Sequence, residues 1–194
     1  MRRMAKKLSA RSVIALAGMV VVVWVGSALA DNSGGLRKLI AKGVPTVTFT
    51  AGSACPGVTC TGTCNEISFT APISLTIGLK GTDSTSSGCL TVEVDSSGTT
   101  ANGFGTCSGA SGTMTIVKPS GNTYTLAMGG QLCADTATTA NNYGSFHTGY
   151  VVTGGTGPHT KAQGVGDFSM NYIQDISTGA ISGTALYMGG DITP

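Results

Sequence analysis

The chain has 194 residues, of which 30 are glycine and only 10% are charged, against about 25% charged in an average domain. Its formal charge is +2, and no basic patch or stripe is available to neutralise phosphates, which argues against a nucleic-acid partner. The length is that of one domain, and the low net charge with many β-branched residues excludes a disordered polyelectrolyte.

Residues 1–30 read as a secretory signal peptide. Arg2, Arg3, Lys6, Lys7 and Arg11 come first, with no acid among them, and an apolar run from Val13 to Val25 follows, interrupted only by Gly18. Gly26-Ser27-Ala28-Leu29-Ala30 then places small residues at the −3 and −1 positions of a cut after Ala30. The 13-residue run is shorter than the roughly 18–20 residues of a spanning helix, so cleavage is expected rather than a membrane anchor. The expected location is secreted or periplasmic. Cleavage removes five of the 11 basic residues and none of the 9 acidic ones, so residues 31–194 carry six bases against nine acids, a net of −3. The one tryptophan, Trp24, leaves with the signal.

Asp31–Gly43 reads as a flexible leader or short helix. Leu36, Leu39 and Ile40 fall at i, i+3 and i+4, which predicts two helical turns over Leu36–Lys42. From Val44 to the C-terminus the apolar period is two. Val47 and Phe49 alternate with Thr46, Thr48 and Thr50; Ile67 and Phe69 with Glu66, Ser68 and Thr70; Leu75 and Ile77 with Ser74 and Thr76. Val92 and Val94, then Tyr124, Leu126 and Met128, then Phe168, Met170 and Tyr172 continue the pattern. Such alternation marks strands with one buried and one polar face.

The punctuation agrees. Lys118-Pro119-Ser120-Gly121-Asn122 and Asp175-Ile176-Ser177-Thr178-Gly179 read as hairpin turns. Short strands with turn signals between them and no long helix predict an antiparallel up-and-down β-barrel of about eight or nine strands over residues 44–194, with a sandwich as the second choice. Glycines inside strands, at Gly164, Gly166 and Gly183, suit the bends of a small closed sheet.

Six cysteines, Cys55, Cys60, Cys64, Cys89, Cys107 and Cys133, lie outside the signal and read as three disulfides in an oxidising compartment. A zinc knot is disfavoured, since the first three are spaced C-x4-C and C-x3-C with no histidine nearby. Cys89 and Cys107 flank the Asp95-Ser96-Ser97-Gly98 turn, which points to a Cys89–Cys107 pair, with Cys133 reaching back to the early cluster.

One stretch is distinctive. Tyr150-Val151-Val152-Thr153 leads into Gly155, Thr156, Gly157, Ala162, Gly164, Gly166 and Phe168, which match the order G-G-T-G-x-[aromatic]-x-G-A-x-G-x-G-x-F. The pattern resembles exported bacterial barrels of the allene oxide cyclase and dirigent superfamily, over roughly residues 146–190, with His159 at the aromatic position and Lys161 in place of a glycine. The resemblance implies an up-and-down barrel around an apolar cavity, and no catalytic residue carries over from it. The glycines need no chemistry to explain them: Gly155, Gly157, Gly164 and Gly166 serve backbone geometry, and Phe168 returns the chain to the core. A phosphate loop is excluded, because no third glycine completes G-x-G-x-x-G and no G-K-[ST] is present.

No catalytic, cofactor or metal residue is assigned. His147 is expected on a strand and His159 in an exposed loop, while Glu66 and Glu93 fall on the polar side of strand alternation. No G-x-S-x-G elbow or H-E-x-x-H pair occurs. The expected function is that of an exported, non-enzymatic barrel, binding a small apolar ligand in its cavity. The alternatives are a structural or self-assembling surface protein, with Asp31–Thr50 as a donated edge strand in a homo-oligomer or filament, and a cyclase-like isomerase. Mass spectrometry of the exported protein is expected to find Asp31 at the N-terminus.

Overall fold

The computed structural model describes residues 35–60, 62–94, 106–135, 141–175 and 177–193. The expected signal peptide and the Asp95–Gly98 turn lie outside the described residues. Nine strands follow one another: β1 (Arg37–Gly43), β2 (Thr46–Ala51), β3 (Thr63–Ile77), β4 (Lys80–Val94), β5 (Thr106–Val117), β6 (Thr123–Asp135), β7 (Asn141–Gly155), β8 (Gln163–Asp175) and β9 (Ile181–Thr193). From β2 to β9 each strand pairs antiparallel with the next, and β1 pairs with both β9 and β3, which closes the sheet into an up-and-down barrel.

β1 and β2 form a single stave of this barrel. Gly43 faces Ile73 and Thr46 faces Thr70, so the register on β3 is the same for both. Val44 and Pro45 therefore lie opposite Pro72 and Ala71. Proline has no N–H to give to a ladder, so the pairing lapses at this point and resumes beyond it. Eight staves result from nine strands.

The helix expected over Leu36–Lys42 is a strand. Leu39 and Ala41 are buried while Lys38, Ile40 and Lys42 are exposed, the alternation of two rather than the helical period. A two-turn helix is marginal by itself, whereas the gap between β9 and β3 supplies backbone partners along both edges of β1. The barrel thus begins at Arg37 rather than Val44, and this part of the segment expected as a donated strand is taken up within its own chain.

The interior is filled by alternate residues of every stave. Leu39, Ile67, Leu75, Leu90, Met114, Ile116, Leu126, Phe146, Phe168, Met170, Leu186 and Met188 are each at most 2% exposed. Phe168 sits centrally, its ring 5.7 Å from that of Phe69 and 5.8 Å from that of Phe146. Large rings lie against inward glycines. Phe69 pairs across strands with Gly88, Tyr172 with Gly144 and Tyr150 with Gly166, and in each case a Cβ on the glycine would collide with the ring opposite or its hydroxyl. A Cβ on Gly190 would also meet the Tyr150 hydroxyl, at 2.5 Å.

The turns behave as their residues require. Gly121 takes φ 79° in the β5–β6 turn, where Lys118 N–H donates to the Asn122 carbonyl at 2.9 Å. Gly179 takes φ 71°, and the Asp175 carboxylate accepts from the Ser177 and Thr178 backbone N–H groups. Those hydrogen bonds, with one from the Ser177 hydroxyl, hold the Asp175 carboxyl below its usual range.

All six candidate cysteines are paired, as Cys55–Cys89, Cys60–Cys64 and Cys107–Cys133. The expected Cys89–Cys107 bridge is absent because β4–β5 register sets Cys89 opposite Thr113, six residues from Cys107, about 20 Å along a strand. Cys107 instead faces Cys133 directly on β6. The Cys55–Cys89 bridge ties the loop after β2 over the outer face of β4, where Cys55 N–H donates to Thr91 Oγ1 at 3.0 Å. With sequence separations of 34 and 26 between their cysteines, the two longer loops contribute about 3–4 kcal/mol each by restricting the unfolded chain.

The inward glycines yield a direct prediction. Gly166→Val forces a side chain against the Gly189 carbonyl and the Tyr150 hydroxyl and is expected to cost about 1–3 kcal/mol in urea unfolding. Gly129→Ser, outward with nothing within 4 Å of its Cβ position, is expected to stay within about ±0.5 kcal/mol.

Candidate functional site

Among the described residues, two concave sites on this frame gather polar or charged side chains. The larger is a groove of about 710 Å³ on the outside of the barrel, crossing β6 to β9. Register builds it. Gln131, His147, Ser169 and Tyr187 sit directly opposite one another in sequence around the sheet, one from each strand. Beside them runs a second row, Gly129, Gly149, Asp167 and Gly189. Of this second row Gly149 and Asp167 line the groove, and with Gly130 they leave bare backbone in its floor, from which Asp167 projects. The Tyr187 side chain, 44% exposed, leans over Gly189, whose Cβ position is 3.1 Å from the phenol oxygen. Lys42 Nζ stands 5.8 Å from the centre of its ring. The groove is thus an open trough in which polar side chains stand among apolar surface, with Tyr187 as an aromatic wall.

His147, Ser169 and Asp167 share this trough. His147 faces Ser169 across the β7–β8 ladder and Asp167 lies two residues before Ser169 on the same face, yet no hydrogen bond links the three. A nucleophile and its base need such contact, and an oxyanion hole needs free N–H donors. Here the neighbouring N–H groups belong to the paired strands of the sheet.

The second site is a pocket of about 220 Å³ at one end of the barrel, lined by Arg37, Ile77, Lys80, Thr82, Lys118, Tyr124 and His159. Arg37 opens β1, Lys80 follows the β3–β4 turn, and Lys118 opens the β5–β6 turn. His159 comes from the distinctive glycine stretch. Gly157–His159 form one 3-10 turn after β7, with Gly157 at φ 60°, and this turn folds back across the barrel end. The His159 ring stacks on Tyr124 at 4.2 Å between centroids.

His159 is therefore not the exposed loop residue expected from its neighbours; it is only 7% exposed. Thr, Pro and Gly around it announce a turn but not the direction in which the turn packs. Lys161 is exposed, as a loop residue should be. The four motif glycines all sit at close approaches. A Cβ would meet the Thr123 carbonyl from Gly155, the Asn122 side chain from Gly157, the Asp191 carbonyl from Gly164 and the Gly189 carbonyl from Gly166. Phe168 is in the core.

Of the two glutamates, Glu93 is exposed. Glu66 is half-buried beneath the loop after β2 and accepts from the hydroxyls of Ser53 at 2.9 Å and Ser68 at 2.7 Å, which hold its carboxyl below the usual range. These bonds tie down a loop rather than serve a site. Among the described residues no group of three His, Cys, Asp or Glu side chains is placed to hold a metal ion. No helix among them is long and apolar enough to cross a membrane.

Fold and stapling together define the class, a disulfide-linked, antiparallel up-and-down β-barrel with a packed core. Comparison of the chain with protein-family models, curated proteins and solved structures finds no significant match.

Sequence reasoning did not single out Gln131, Asp167, Ser169, Tyr187, Arg37, Lys80 or Lys118. Alternation puts Gln131, His147, Ser169 and Tyr187 on the outward phase of their strands, but only the register brings them into one row.

Burial, and secondarily the Lys118 charge, lowers the pKa of His159 below its ordinary 6.5. An unfolded chain then binds a proton near pH 6.5 that the folded chain refuses, so stability is full above this pH and falls as the pH drops through it. The urea midpoint is expected to decline between about pH 7 and 5.5, and His159→Phe, which keeps a ring on Tyr124, is expected to flatten that decline.

Proposed function

We propose that the protein is an exported, non-enzymatic binding barrel whose ligand lies in the outer groove, and that the ligand is hydroxyl-rich, of the carbohydrate class. Export rests on the signal-like residues 1–30 and on three disulfides, which persist in oxidising compartments. A water-exposed working surface is supported by the phase of the strands. Apolar side chains point inward, and Thr46, Thr48, Thr70, Thr85, Ser87 and Thr113 are among those exposed outside, the inverse of a lipid-facing barrel.

The observation that carries the ligand class is the groove's composition. An exposed tyrosine face stands beside a backbone floor, with Gln131, His147, Asp167 and Ser169 offering donors and acceptors. A flat ring bearing hydroxyls can lie on such a floor, cover its apolar face with Tyr187 and hydrogen-bond at its rim. The volume of about 710 Å³ is in the ordinary range for a ligand of this size. The small apolar ligand expected from the superfamily resemblance would need space in the barrel interior, which side chains from every stave occupy.

Titration with soluble β-linked oligosaccharides of glucose and of N-acetylglucosamine is the test. Tyrosine fluorescence serves as the signal in the processed chain, since Trp24 lies in the expected signal segment. Saturable binding is expected, with Tyr187→Ala weakening it about tenfold, the scale of losing one aromatic contact. Binding indifferent to Tyr187, or hydrolysis of an ester probe that depends on Ser169, would sink the reading.

A further inference from the structure

The end pocket has a charge balance unlike the rest of the molecule. Residues 31–194 carry nine acids and six bases, yet three of those six bases, Arg37, Lys80 and Lys118, line one pocket of about 220 Å³ that no carboxylate lines. The three come from widely separated points of the chain and are brought together only by barrel closure. Each is anchored by local structure. The β3–β4 turn is fixed to β1 by the Gly78 N–H, which donates to the Lys38 carbonyl at 2.8 Å, and the Arg37 stem passes 3.7 Å from the Cβ position of Gly78. Lys118 Nζ stands 6.0 Å from the centre of the Tyr124 ring.

A second, independent feature points to a ligand. His159 lines the same pocket, is 7% exposed, and its Nδ1 is buried with no hydrogen-bond partner. Buried polar atoms are nearly always satisfied, and an unpaired one costs about 1–3 kcal/mol. Nothing in the packing demands a histidine here, because a phenyl ring would stack on Tyr124 equally well. Like charges gathered without counter-charge are unfavourable for the same reason: they await an anion.

We propose that this end of the barrel is a binding site for a small oxyanion, a carboxylate or a phosphate, held by Arg37, Lys80 and Lys118 with the His159 ring beneath. The charged rim takes the oxygens. Ile77, Tyr124 and the His159 ring form an apolar floor for whatever small body the anion carries, and Thr82 adds a hydroxyl. The site is separate from the outer groove, shares no residue with it, and stands whether or not the groove binds carbohydrate.

The two histidines make the test internally controlled, since His147 lies in the groove and His159 in the end pocket. Ring resonances of both are followed by NMR while inorganic phosphate, benzoate or neutral benzamide is added to the purified protein at constant ionic strength. A saturable shift at His159 alone is expected with an anion. A response to phosphate only assigns a phosphate, a response to benzoate only assigns a carboxylate with an apolar body, and either supports the site. Lys118→Met and Lys80→Met replace exposed or half-exposed charges with apolar side chains of similar length, and each is expected to weaken binding about tenfold, the scale of one charge-assisted hydrogen bond. Benzoate binding is also expected to raise the His159 pKa and to tighten as pH falls, because a bound anion favours the charged imidazole. The proposal is overturned by equal shifts at both histidines, by benzamide acting as well as benzoate, by affinity unchanged in both lysine variants, or by no response to either anion.

Discussion

The constraint on which the structure depends is the fixed width of a closed eight-stave barrel. Once β1 bridges β9 and β3, the inner radius is set by strand number and tilt, and the interior must be filled to crystal-like density at that radius. This chain meets the requirement with unequal partners. Where Phe69, Tyr150 or Tyr172 reaches inward, the residue opposite is Gly88, Gly166 or Gly144, so that a large ring lies over bare backbone. The high glycine content follows from this packing as much as from turns. Valine in such a position would push a ring out of its place, and neighbouring rings around Phe168 would have to move with it.

With side chains from every stave packed inside, the two concave sites described above lie on the wall and at one end of the barrel. The outer groove has bare backbone in its floor, because Gly130 and Gly149 put no side chain beside the row Gln131, His147, Ser169 and Tyr187. The end pocket exists because the turn between β7 and β8, Gly157–His159, folds over the opening instead of away from it. In the wall of the barrel, glycine in a strand lets something else come close, whether a ring from inside or a ligand from outside.

The disulfides add covalent links to a frame already laddered by hydrogen bonds. Cys107–Cys133 locks the β5–β6 register at the end remote from its hairpin turn, and Cys55–Cys89 fastens a long excursion to the outer wall. Neither bridge touches the end pocket, so the site with buried His159 is held by packing and by hydrogen bonds such as those from Gly78 N–H to the Lys38 carbonyl and from His159 N–H to the Thr156 carbonyl.

Alternation in the sequence was enough to reveal a β protein, and Pro119-Ser120-Gly121 and Ser177-Thr178-Gly179 were enough to place two of its hairpins, because these signals are local: each depends on residues within a few positions. The even set of cysteines likewise announced full pairing. What depended on register was invisible. A helical spacing at Leu36, Leu39 and Ile40 outvoted the alternation of Leu39 and Ala41, because nothing near residue 37 in the chain tells of the open edges on β9 and β3. Cys89 and Cys107 are close in sequence, yet the pairing of β4 with β5 carries them apart, while β6 brings Cys133 to Cys107. The row Gln131, His147, Ser169 and Tyr187 and the cluster Arg37, Lys80 and Lys118 are of the same kind, assembled from separate strands. Residue type determined which face of a strand each side chain occupies; only closure of the barrel decided which side chains meet.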